Sequence, residues 1–209
     1  MTTGYPDKGV IRIESLAMFE RVGYSHRVPL NQINPGLRGF NVMKQARLNR
    51  TQSIAVMAIM SAAYAAVTIA LGSLSYYGIQ FRVADVLLPF PCILGWPMAA
   101  ALFIGGFVAN IFGGLGAIDV VFGSLLNLLA GVLVMNRKTC PHWLLAWLYP
   151  TLLIGLGVPA YLQFLVFTPY ILLMPGILIS TAILCAIGVV IMFAVEKALP
   201  QIFLDTKES

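Results

Sequence analysis

Residues 53–71 run for 19 positions without a charged side chain, and residues 172–195 do so for 24. About 20 consecutive apolar residues is the length an α-helix needs to cross the hydrocarbon core of a bilayer. Further apolar runs lie at roughly 98–112, at 118–135 and from residue 143 onward. With 59% of its residues hydrophobic and only 10% charged, a 209-residue chain has too little polar surface to hide these runs from water. Within lipid every backbone polar group needs a partner in its own chain, which favours helices. The predicted fold class is therefore all-α, a polytopic membrane protein.

Six helices are expected across residues 51–198. Helix 1 covers 53–71, and residues 72–80 read as a loop containing Tyr76, Tyr77 and Gln80. Helix 2 starts near Phe81 or Arg82 and ends near residue 94. It should be short and kinked, because Pro89 and Pro91 each remove a backbone donor and crowd the preceding turn. A Gly95-Trp96-Pro97 corner leads into helix 3 at 98–112, and Gly113, Gly114 and Gly116 make a tight link to helix 4 at 118–135. Helix 5 begins at Trp143 and is expected to be interrupted by Pro150, Gly155, Gly157 and Pro159. Residues 161–170 are predicted as an aromatic loop or broken helix, with helix 6 at 172–195.

Charge is placed unevenly. Residues 1–50 hold eight basic and three acidic side chains, which is the whole of the +5 surplus; the rest of the chain is balanced. The basic character thus belongs to an N-terminal tail, not to a nucleic-acid-binding face. That tail, rich in Pro and Gly and without a secretory signal pattern, is predicted as loop or disorder, with Met43 a plausible true start. Arg47, Arg50, Arg137 and Lys138 belong on the cytoplasmic side of a plasma-membrane protein. Six crossings satisfy this, with both termini, including the short tail 199–209, inside. The loops near Arg82, Asp85, Asp119 and Gln163 then face outward.

The apolar stretch 76–127 holds Gln80, Arg82, Asp85, Asn110, Asp119 and Asn127. Polar and ionisable groups inside a membrane are costly and persist mainly where they face a bundle interior or a cavity. Asp119, Gly123, Asn127 and Gly131 recur every fourth residue, a narrow polar stripe unsuited to lipid. Structural roles stand beside a binding role. Arg82 and Asp85, three apart, can pair with each other. Asp85 and Asp119 both sit where a helix dipole favours an acid. Asn127 can bond between helices, and aromatic residues near helix ends can be interface anchors. On helix 1, Ala58, Ala62 and Ala66 share a face that suits either internal packing or docking of a partner membrane subunit.

Other chemistries lack their residues. Cys92, Cys140 and Cys185 are scattered, and His26 and His142 lie far apart, so neither metal-ligand spacing nor a nucleophile with its base is present. No metal, cofactor or enzymatic activity is expected. The glycine cluster 113–116 lacks the Lys-Ser/Thr ending of a phosphate-binding loop. A channel or scaffold would need polarity through both faces, and here it is confined to one.

The segments Gly78-Ile79-Gln80-Phe81-Arg82-Val83-Ala84-Asp85, Ile104-Gly105-Gly106-Phe107-Val108-Ala109-Asn110 and Asp119-Val120-Val121-Phe122-Gly123-Ser124-Leu125 resemble the QueT family. The likeness covers about residues 45–197. It implies a six-helix, substrate-binding S component of an energy-coupling factor (ECF) transporter for queuosine precursors. The alanines of helix 1 resemble the motif through which such components contact a transmembrane coupling subunit, itself joined to two ATPase subunits. One departure is that residues 174–180 carry no carboxylate where family members often do. The implied ligand is a 7-deazapurine such as 7-aminomethyl-7-deazaguanine, or, alternatively, another vitamin or small metabolite. Asp119 and Asp85 are then expected to supply charge, Arg82 to share the site, and Asn110, Asn127, Gln80 and Gln163 to supply polar contacts. Tyr76, Tyr77 or Phe81 would form the lid. Asp119 is the leading candidate because it heads the polar stripe.

Overall fold

The computed structural model of the protein describes residues 45–46, 48–72, 81–136 and 142–198. The expectations for residues 1–44, for Arg47, for the loop with Tyr76, Tyr77 and Gln80, for Arg137 and Lys138, and for 199–209 lie outside the described residues. Within them the secondary structure is entirely helical: α1 (Arg50–Ala70), α2 (Pro91–Leu94), α3 (Trp96–Gly113), α4 (Ala117–Met135), α5 (Trp143–Val166) and α6 (Tyr170–Ala198). A 3-10 turn, Val83–Leu87, precedes α2. Five of these helices, α1 and α3 to α6, are long and apolar enough to cross a membrane. A shorter apolar segment, Val83–Leu94, stands where the short, kinked helix 2 was expected from Pro89 and Pro91.

Local chemistry sets most of the boundaries. Asn49 caps α1 by accepting from Gln52 N at 2.8 Å, while Gln52 Oε1 accepts from Asn49 N at 3.0 Å, a reciprocal capping box. Proline stands in the first turn of both α2 and α3, where its missing N–H costs nothing. Gly114, with φ +70°, closes α3 in the left-handed region that glycine enters without strain.

Helix 5 differs from expectation. Pro150 and Pro159 lie inside a continuous helix of 24 residues, and the predicted aromatic loop at 161–170 shrinks to residues 167–169. In lipid an unpaired carbonyl has no water to turn to, so neighbouring helices and Ser/Thr side chains hold a proline-bearing helix together. Thr151 Oγ1 donates to Trp147 O at 2.7 Å in the turn beside Pro150. The break comes instead at Phe167, whose φ of 52° ends the helix.

Helices pack in sequence order, α3 on α4, α4 on α5 and α5 on α6, with α1 against α3. Three-residue links join α3 to α4 and α5 to α6, so each pair is antiparallel. The segment 82–94 packs against both α1 and α6 and, through α2, against α3 and α4. Most of it is buried, including Ala84, Asp85, Leu88, Phe90, Cys92 and Ile93. A 3-10 turn rises about 2.0 Å per residue against 1.5 Å for an α-helix, so this short piece travels further along the bundle than its length suggests. Gly188 on α6 makes that packing possible, since a Cβ there would meet the carbonyl oxygen of Val86.

Large apolar side chains face outward along the helices, among them Ile111 and Phe112 on α3, Phe122 and Leu125 on α4, and Ile179 and Val190 on α6. Tyr64, Leu88, Ile93, Met98, Leu102, Leu162 and Met192 fill the interior. α1, α3 and α5 end, and α4 and α6 begin, at one end of the bundle. Arg82, Asp85, Asn110 and Asp119 lie toward that end.

Candidate functional site

Arg82 is the residue at which the 3-10 turn begins, and Asp85 sits in its first turn. The turn is wedged between α1 and α6, so both side chains are held inside, 8% and 4% exposed respectively. Asn110 comes from the last turn of α3, Asp119 from the first turn of α4, and Asn127 from two turns deeper, about 12 Å along the axis. All three are at most 1% exposed. The four-residue stripe expected on α4 is thus buried along its length, with Asp119, Gly123, Asn127 and Gly131 all turned inward.

Hydrogen bonds tie these groups into two branches. In the first, Arg82 Nη2 donates to Asn110 Oδ1 at 3.1 Å, and Asn110 Nδ2 donates to the backbone oxygen of Asp119 at 3.0 Å. Tyr161 of α5 then donates its hydroxyl to Asp119 Oδ1 at 2.8 Å. In the second, Tyr64 of α1 donates to Asp85 Oδ1 at 2.9 Å and accepts from Asn127 Nδ2 at 3.1 Å. The two branches meet at the 3-10 turn, which carries Asp85 and opens at Arg82. Five elements therefore contribute: α1, the turn, α3, α4 and α5.

Burying an arginine and two carboxylates takes them out of water at a cost of several kcal/mol each, recovered only where partners are well placed. Here Arg82 has the Asn110 carbonyl, and each carboxylate has a tyrosine hydroxyl. One group stands apart. Asp119 Oδ2 is buried and has no hydrogen-bond partner among the described residues. An unpaired buried acceptor costs about 1–3 kcal/mol, and more when charged.

Two glycines leave room for the amides. A Cβ on Gly123 would lie 2.5 Å from Asn110 Nδ2 and 3.0 Å from the Tyr161 hydroxyl. A Cβ on Gly106 would lie 2.5 Å from Asn127 Nδ2. Any larger residue at either position displaces the polar group it faces.

Of the residues singled out in the sequence, Arg82, Asp85, Asn110, Asp119 and Asn127 are brought into one network. Both ends of the Asn110 amide bond within the protein, and Asn127 makes the bond between helices that was open as its structural role. Phe81 is half-buried beside Arg82. Gln163 is held apart: its Nε2 donates to Ala160 O at 3.1 Å in its own helix. Ala58, Ala62 and Ala66 are exposed, so that face of α1 does not serve packing within the described bundle.

Sequence reasoning missed Tyr64 and Tyr161. For Tyr64 the signal was available, since a tyrosine in the middle of an apolar helix needs a partner for its hydroxyl; Tyr161 stood in the predicted loop 161–170. Among the described residues, no group of three or more His, Cys, Asp or Glu side chains is gathered to hold a metal ion.

Compared with known proteins, the chain matches a family model described as QueT transporter over residues 54–197. Neither a curated protein nor a solved structure matches it.

Proposed function

The chain belongs to the QueT transporter family, and from that premise we propose that it is the substrate-capturing S component of an ECF-type uptake transporter. Its ligand on this reading is a queuosine precursor, a 7-deazapurine such as 7-aminomethyl-7-deazaguanine, taken at the extracellular end of the bundle. The observation that carries the reading is the buried, unpartnered Oδ2 of Asp119. A purine-like guest presents N–H donors, and one of these would complete the carboxylate. A wrong guest would leave it unpaired, which is how buried polar groups discriminate between ligands.

Arg82, Asp85, Asn110 and Asn127, all buried, support the reading as members of the same polar network as Asp119. Gln80, Tyr76, Tyr77 and Phe81 are proposed as the lid and edge contacts, and Gln163 as an outer contact. The exposed alanines Ala58, Ala62 and Ala66 are proposed as the face that meets the transmembrane coupling subunit, which in turn carries the two ATPase subunits. The cationic clusters support a cytoplasmic position for both termini on this reading.

The test is to purify the chain from cells supplied with the deazapurine and identify the small molecule that leaves with it by mass spectrometry. A deazapurine released stoichiometrically supports the proposal. A different metabolite, or none despite a folded protein, overturns the ligand assignment.

A further inference from the structure

Trp143, Leu144 and Trp147 of α5, with Ala186, Val190 and Phe193 of α6, line a groove of about 400 Å³. It lies where α5 starts and α6 ends, at the opposite end of the bundle from Arg82 and Asp119. On α6 it extends over two turns, about 10 Å along the axis. The rings of Trp143 and Phe193 meet edge to face there, with centroids 6.3 Å apart. Trp147 carries a polar atom, but its Nε1 is spent on the backbone oxygen of Ala182 at 2.9 Å. These walls leave a polar guest nothing to bond to. Val190 is 67% exposed and Leu144 is 49% exposed, so the groove opens sideways along the apolar belt of the bundle.

Charge gathers just beyond the groove. Lys197 is exposed in the last turn of α6, four residues past Phe193 and so on the same side of the helix one turn further out. In sequence Arg137 and Lys138 stand five and six residues ahead of Trp143. Glu196 is the one acidic residue among residues 136–143 and 194–198, against three basic ones. A partner helix suits this place poorly. Helices associate in lipid through small residues that let backbones approach, and the groove is walled by two tryptophans and a phenylalanine. An alkyl chain fits better: it needs no hydrogen bond, and it restores the dispersion contacts that an unfilled groove forfeits.

We infer that this groove is a binding site for an anionic phospholipid, with one acyl chain between α5 and α6 and the phosphate beside Lys197. Basic groups at the end of an interhelical groove are the arrangement that holds anionic headgroups, and a tryptophan such as Trp143 sits readily at the same depth. Because lipid tails are as apolar as the walls, burial of apolar surface does not choose the occupant. The groove orients the chain, and the charge selects the headgroup. On the orientation proposed above, the site opens to the cytoplasmic leaflet, whose surface is negative. The inference does not depend on which small molecule the polar cluster takes.

The test reconstitutes the full-length chain in an equimolar mixture of phosphatidylglycerol and phosphatidylcholine with identical acyl chains. Native mass spectrometry then reads the lipid kept after gentle detergent extraction. The parent should keep phosphatidylglycerol over phosphatidylcholine by about five- to tenfold, and Lys197→Gln should lower that preference by about fivefold. Ala186→Phe and Val190→Trp each fill the groove from an exposed position. Whichever of them melts like the parent should lose the retained lipid, whatever its headgroup. Equal retention of the two lipids by the parent overturns the inference, as does unchanged retention in both filled variants. A photocrosslinker at position 190 that captures a polypeptide in place of lipid overturns it as well.

Discussion

Tyr161 donates its hydroxyl to Asp119 Oδ1 at 2.8 Å across 42 residues of chain, and so fixes which carboxylate oxygen is left over. Asp119→Ala removes the acceptor altogether and should abolish ligand retention without unfolding the bundle. Tyr161→Phe keeps the ring and frees the carboxylate to turn; its affinity should fall by roughly tenfold, the equivalent of about 1.5 kcal/mol. Radioligand binding on both variants checks this, and unchanged affinity in Asp119→Ala would refute the role given to that residue.

Tyr64→Phe should act on stability. The hydroxyl serves two partners, and without it Asp85 Oδ1 and Asn127 Nδ2 each lose a bond in a buried place. The expected loss is about 1–3 kcal/mol, read as a lower melting temperature in detergent. An unchanged melt would mean that the two groups find other partners.

Arg82→Met leaves Asp85 and Asp119 buried without their cation. Breaking a buried charge arrangement by removing one member typically costs about 3–5 kcal/mol. The double variant Arg82→Met/Asp85→Asn should recover part of the loss, because groups in one network do not behave additively. If the double variant melts lower than the single one, the two side chains are not energetically joined.

Gly188→Ala introduces a methyl group against the carbonyl of Val86, a backbone atom that cannot swing away. We expect about 1–3 kcal/mol of destabilisation, as for other overpacked interiors, and a displaced 3-10 turn. Weaker ligand binding at temperatures below the melt would report that displacement.

Ala58→Leu and Ala62→Leu change exposed positions of α1 and should leave the stability of the isolated chain within about 0.5 kcal/mol of the parent. They should prevent copurification of an ATPase-containing complex. Normal recovery of that complex would remove the alanine face as the docking surface.

The helices were legible because apolar length and charge placement are properties of a segment by itself. The buried stripe of α4 was legible for the same reason: Asp119, Gly123, Asn127 and Gly131 declare a face through their spacing alone. Helix 5 was misjudged because Pro150 and Pro159 break helices in water, while a membrane bundle tolerates them. Tyr64 and Tyr161 went unrecognised because an aromatic residue in an apolar stretch fits several roles. Only the approach of α1 to the 3-10 turn, and of α5 to α4, reveals what their hydroxyls do. The same holds for Asn110, whose amide is spent inside the protein in a way that no one-dimensional pattern records.

The polar cluster draws on five separate pieces of the chain, from Tyr64 to Tyr161, and no two consecutive helices carry all of it. A half-inserted or misordered bundle accordingly has nothing to grip a guest with, so capacity to bind reports completed assembly. The converse also holds: a bound molecule bridging these pieces stitches early and late segments together, and raises resistance to heat in proportion to the logarithm of its concentration.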